Sequence, residues 1–191
     1  MEMSQSLRSS RCERGFSLIE TIVAIGVLSV GLMSMAALMA RMLSTTSRSG
    51  YMSIAMQLTS EKLEDLNRFP SDSPNVAVTT GTTAGSLTAD VTSYFDEVRL
   101  SATGGAASEI KTDTSSGTTK YDVISHAPDG TITDDQDQTS LPSSTGMIRF
   151  KRRWIIEKDQ PTTGVRRVTV LVTLENPVNA PVTAQMSMVR P

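Results

Sequence analysis

Glu20 is a carboxylate at the head of a stretch that otherwise belongs in lipid. It follows Arg14-Gly15-Phe16-Ser17-Leu18-Ile19 and leads into Thr21 to Ala40, 20 residues without a charge. As a helix at about 1.5 Å per residue that run is about 30 Å long, the thickness of a bilayer core. An acid in such a span costs about 2.5–3.5 kcal/mol at the helix centre and less near its end. Glu20 therefore needs a compensating group. A secretory signal peptide does not fit, because the apolar run is too long and its only tolerable cut site, after Leu38-Met39-Ala40, puts Leu where a small residue is preferred. A plain signal anchor fits the length, and Arg8, Arg11 and Arg14 would keep its N-terminus inside, although Arg41 and Arg48 dilute that asymmetry. Neither reading explains Glu20.

Elsewhere the residues that do chemistry are sparse. The single histidine, His126, sits two residues before Pro128, and the single cysteine is Cys12. No phosphate-binding glycine loop and no nucleophile motif is present, so catalysis is not expected. Asp129, Asp134, Asp135 and Asp137 offer oxygens to Ca²⁺, but the stretch lacks the mid-loop Gly and terminal Glu of an EF-hand and reads first as a solvated turn. Arg149, Lys151 and Arg153, with Arg167 across a hairpin, could touch phosphates. Their alternation places them on the solvent face of a strand, where charge is expected anyway. We expect no cofactor, no metal and no nucleic acid partner.

The stretch Gly15-Phe16-Ser17-Leu18-Ile19-Glu20 resembles the class III leader of type IV pilins and pseudopilins. The continuation from Ala24 to Met33 is similar to minor pilins of the PilV type. The resemblance implies cleavage between Gly15 and Phe16, N-methylation of Phe16, and a Glu20 carboxylate that meets the Phe16 amine of a neighbouring subunit during assembly. It implies as partners other pilin subunits, major and minor, a prepilin peptidase that is also the N-methyltransferase, the inner-membrane pilus assembly machinery, and the membrane. The expected location is the inner membrane, as a single pass with a periplasmic C-terminal domain, then the pilus or pseudopilus. The function implied is that of a minor type IV pilin in pilus assembly, initiation or modification. A pseudopilin of a type II secretion system shares all these features. A membrane-anchored periplasmic binding module is the alternative from another class, and it would keep its leader. Many major pilins close a C-terminal loop with a disulfide; this chain departs from that, since Cys12 lies in the leader.

The elements that must carry these residues follow from pattern. The chain has 191 residues and net charge −2, which gives no global pull toward nucleic acid or anionic lipid. Residues 1–15 are the leader. Residues 16–43 form the membrane or filament-core half of a long helix, and residues 44–69 its amphipathic half, with Gly50 as a soft point. Around a 100° wheel Tyr51, Met52, Ile54, Ala55, Met56, Leu58, Leu63, Leu66 and Phe69 fall in one arc; Thr59, Lys62 and Asp65 interrupt it and are expected at its margin. Phe69-Pro70 ends the helix.

Residues 70–191 make the head. Within 70–147, apolar islands at 76–78, 87–91, 94–100 and 121–124 suggest short strands, while 79–86, 104–108 and 112–119 read as turns. From 148 to 191 the alternation is clear: Ile148, Phe150, Trp154 and Ile156; then Val168, Val170, Val172 and Leu174; then Val182, Ala184, Met186 and Met188. Arg152 breaks the first of these faces. The expected fold is α+β and pilin-like: one long N-terminal helix packed on a C-terminal antiparallel sheet.

Overall fold

The computed structural model describes residues 16–102, 104–114, 116–141, 143, 146–176 and 182–191. Its one long helix, α1, spans Leu18–Arg68. The Ser17 carbonyl accepts the N–H groups of Glu20 and Thr21 at 3.0 and 3.2 Å, which opens the first turn. No proline interrupts the next 51 residues, and Pro70 stops the helix by forcing Phe69 away from helical torsions. The chain divides into two units, Met1–Thr45 and Thr46–Pro191. In the first, the helix carries an exposed side chain at every described position. The second contains the amphipathic part of α1 and the whole sheet.

Among the described residues eight strands form one antiparallel sheet. They are β1 (Thr83–Gly85), β2 (Phe95–Ser101), β3 (Ala107–Asp113), β4 (Lys120–His126), β5 (Ile132–Gln138), β6 (Met147–Lys158), β7 (Arg166–Asn176) and β8 (Thr183–Arg190). The spatial order is β5-β4-β3-β2-β6-β7-β8, and β1 pairs with the end of β6 beyond β2. The register follows the period-two pattern: Phe150 opposes Val98 and Leu174, and Trp154 opposes Val170. One face of β6, β7 and β8 thus presents Phe150, Trp154, Ile156, Val168, Val170, Val172 and Ala184, all buried, and Val182 just before β8 is buried as well. Ala55, Leu58, Leu63 and Leu66 of α1 join them in one core. The fold is α+β, a long N-terminal helix on an antiparallel sheet.

The structure departs from the sequence reading at several places, each for a physical reason. Thr59 and Lys62 are buried rather than marginal, because each finds a partner: the Thr59 hydroxyl donates to the Ala55 carbonyl at 2.6 Å, and Lys62 pairs with Asp96. Met56 and Phe69, placed in the apolar arc, are exposed, as is Met186 on β8. The islands at 76–78 and 87–91 are not strands; Val76 is buried within a turn. The stretches at 79–86 and 104–108 contain β1 and the start of β3, and β3 runs on into the stretch at 112–119. The acidic loop is largely a strand, β5, exposed along its whole length. β3 and β5 escape the pattern because each offers only one large apolar residue, Ile110 and Ile132, so no period can be read from side chains. Backbone pairing with β2 and β4 makes them strands.

Candidate assembly segment and the head that it carries

Phe16 precedes the first turn of α1 and is 80% exposed; Glu20 lies in that turn, exposed as well. Gly15 lies outside the described residues. Behind Glu20 the helix shows Ile22, Val23, Ile25, Val27, Leu28, Val30, Leu32 and Met33 to its surroundings, each more than half exposed. Its hydroxyls are satisfied from within: Ser29 donates to the Ile25 carbonyl at 2.7 Å and Ser34 to that of Val30 at 2.9 Å. Such back-bonding lets a serine sit in hydrocarbon without an orphaned donor. The helix is long and apolar enough to cross a membrane. Contiguous apolar surface on this scale must be covered, by lipid or by other helices.

Residues 10–36 match the family model described as the prokaryotic N-terminal methylation motif. The chain carries a type IV pilin-like class III prepilin leader. The methylation motif thus includes the Arg14-to-Glu20 stretch and runs into the apolar helix. Prepilin leader and apolar helix together support anchoring by a single membrane span. Comparison with curated proteins and with solved structures finds no match.

In the head, the helix is tied to the sheet by a charge network that sequence reasoning missed. Asp96 of β2 is fully buried and accepts from Lys62 Nζ at 2.7 Å and from Arg152 Nε and Nη2 at 2.6 and 3.0 Å. Arg152 Nη2 also reaches Glu109 at 2.8 Å. Lys62 Nζ sits 4.2 Å from the centre of the Trp154 ring, a cation–π contact on the same group. Burial pushes the Asp96 carboxyl up, but Arg152 and Lys62 outweigh it and hold the group below the usual carboxylate range. For Lys62 burial dominates, and its amine lies below the ordinary lysine value despite Asp96. Burial lowers Arg152 too, yet Asp96 and Glu109 raise it overall, so it stays charged. The available signal was Arg152 itself, a cation at an inward strand position that required buried carboxylates nearby.

The other candidate residues are placed as follows. Asp129 lies in the turn after β4, where its Oδ1 accepts the Thr131 N–H at 2.9 Å; that bond lowers its carboxyl. Asp134 and Asp135, consecutive on β5, point to opposite faces of the sheet. Asp137 accepts from Lys120 at 2.8 Å. Among the described residues no group of three or more potential ligands gathers as a metal site. His126 ends β4 opposite Ile132. Of the basic cluster, Lys151 pairs with Asp90 and Glu175 at 2.8 and 2.9 Å, and Arg153 with Asp90 at 2.7 Å. Arg167 pairs with Glu157 at 2.7 Å, and Arg149 reaches Glu97 at 4.0 Å. Each cation thus already meets a carboxylate, which lowers the local positive potential that a phosphate would need.

Proposed function

We propose that this chain is a minor type IV pilin, a structural subunit rather than an enzyme. It is cut between Gly15 and Phe16, methylated on the Phe16 amine, held in the inner membrane with its head in the periplasm, and assembled with other pilus subunits. The observation that carries this reading is the methylation motif over residues 10–36, leading directly into a helix whose apolar side chains are exposed at every position up to Thr45. Cleavage turns Phe16 into a free N-terminus whose amine, with an ordinary pKa of about 7.7–8.0, is largely cationic at neutral pH. Glu20, in the first turn of α1, then offers a carboxylate to the amine of a neighbouring subunit. The pair explains an acid that a lone span would not tolerate, and it favours ordered stacking of helices over dispersal in lipid.

Processing and assembly come apart in the test. The mass of the N-terminal peptide from membranes with an active prepilin peptidase should give Phe16 plus one methyl group; an intact Met1 start sinks the reading. Glu20→Ala should still be cut, since the amine it meets exists only afterwards. Truncating one partner of a desolvated pair costs about 3–5 kcal/mol, a loss of about two to three and a half orders of magnitude in partitioning. Immunoblots should therefore find mature Glu20→Ala in membranes and little in sheared filaments. Entry at the wild-type level would show that the carboxylate is not the docking group.

A further inference from the structure

Between Glu20 and Glu61, α1 carries no carboxylate, and its only charged side chains are Arg41 and Arg48, both exposed. The sheet treats its cations differently: Lys151, Arg152, Arg153 and Arg167 each meet a carboxylate, at 2.8, 2.6, 2.7 and 2.7 Å. Along α1 the nearest carboxylate to Arg48 is that of Glu61, about 20 Å further on. Neither guanidinium therefore has an acid to meet on its own helix. Residues seven apart turn through about 700°, close to two full turns, so Arg41 and Arg48 share one face and lie about 10 Å apart along the axis. Ser44 and Thr45 lie between them on that face and, being small, leave both guanidinium groups open. Depth matters as much as spacing. The uncharged run Thr21 to Ala40 matches the thickness of the hydrocarbon, so Arg41 stands where the hydrocarbon ends. Helical side chains lean toward the N-terminus, which brings Arg48 back toward the same boundary, while Arg41 lifts its head group out of the hydrocarbon on its flexible stem. Both charges come to the headgroup layer, about 5–8 Å thick.

From this placement we infer that Arg41 and Arg48 bind the phosphate of an anionic phospholipid in the leaflet where the span ends. A guanidinium donates two parallel N–H bonds to phosphate oxygens and keeps its charge throughout the physiological pH range. A zwitterionic headgroup offers the same phosphate but adds an ammonium to a patch that already holds two positive charges, so the pair discriminates by headgroup charge. The chain as a whole, at net charge −2, exerts no such pull; the attraction belongs to this stretch of α1. The proposal rests on the membrane span and is independent of the assembly role.

The full chain, held in a non-ionic detergent, would be offered equal amounts of phosphatidylglycerol and phosphatidylcholine with the same acyl chains, and its lipid adducts counted by native mass spectrometry. We expect phosphatidylglycerol adducts to exceed phosphatidylcholine adducts about tenfold at low ionic strength, and the excess to shrink as salt is added. Arg41→Gln combined with Arg48→Gln should remove most of that excess, whereas Arg41→Lys combined with Arg48→Lys should keep most of it. Glutamine and lysine are both good helix formers, so circular dichroism should be the same for all three proteins. Flotation with liposomes reports insertion of the span separately, which distinguishes a chain that fails to insert from one that inserts without lipid preference. Equal adducts of the two lipids on the inserted wild type would overturn the proposal and leave the two arginines to carboxylates of another helix. An unchanged excess in the glutamine variant would overturn it as well, and would assign the lipid binding to Arg8, Arg11 and Arg14 instead.

Discussion

Asp96 holds two cations, and its removal strands both. Asp96→Ala leaves Lys62 with no carboxylate and Arg152 with Glu109 alone, inside the contact between α1 and the sheet. We expect a loss of about 3–5 kcal/mol in urea-induced unfolding, because an uncompensated buried charge costs more than the pair was worth. A loss under about 1 kcal/mol would mean that water reaches the network. The pH dependence has a definite sign. The folded Asp96 carboxyl lies below its ordinary value, so its stabilisation is complete above an unfolded pKa of about 3.9 and is lost as pH falls through the lower folded value. Calorimetry should show little change from this group between pH 7 and 5 and a falling melting temperature below about pH 4. The acid slope should flatten in Asp96→Asn, which has no charge left to lose.

At the scale of elements, two arginines tie the end of the helix and the segment after it to the sheet. Arg190, at the end of β8, donates from Nη1 to the carbonyls of Leu66, Asn67 and Phe69 at 3.2, 3.1 and 2.9 Å. These are carbonyls at the C-terminus of α1, which no later helical N–H can reach, and a cation there also meets the negative end of the helix dipole. Arg166, at the start of β7, donates to the carbonyls of Val76 and Ser71 at 2.9 and 3.1 Å and pins the segment that follows the helix. Arg190→Ala should cost about 1–2 kcal/mol, with hydrogen exchange accelerating first in residues 64–69. Exchange that rises equally across α1 and the sheet would instead indicate global unfolding with no local role for this cap.

For the whole molecule, the chain divides between Thr45 and Thr46 into two compact units. Among the described residues no hydrophobic before Tyr51 belongs to or packs against the head core, whereas Ala55, Leu58, Leu63 and Leu66 are among its members. A chain beginning at Thr46 should therefore be soluble and folded, with a circular dichroism spectrum of mixed helix and sheet. Trp154, buried on β6, should emit well to the blue of free tryptophan and shift red on unfolding. Its melting temperature should be the same with and without reductant, since the one cysteine, Cys12, lies before Thr46. A solvent-like native emission would contradict the strand register.

Some of this was dictated by local order along the chain. A run of apolar residues free of proline makes a helix in any low-dielectric setting, and the alternation from Phe150 to Ile156 and from Val168 to Leu174 leaves a strand only one face to bury. The prepilin motif is equally local, since a peptidase reads consecutive residues. What tertiary structure alone decided involves partners far apart in sequence. Lys62 looks like a marginal snorkelling residue until β2 brings Asp96 to it, 34 positions away. Arg152 looks like a flaw in an apolar face until Asp96 and Glu109 close on it from β2 and β3. β3 and β5 carry too little apolar periodicity to be read as strands, and they become strands because neighbouring backbones offer hydrogen bonds. Burial of charge and pairing of polar strands depend on distances that one-dimensional order does not contain, whereas hydrophobic period and length depend on nothing else.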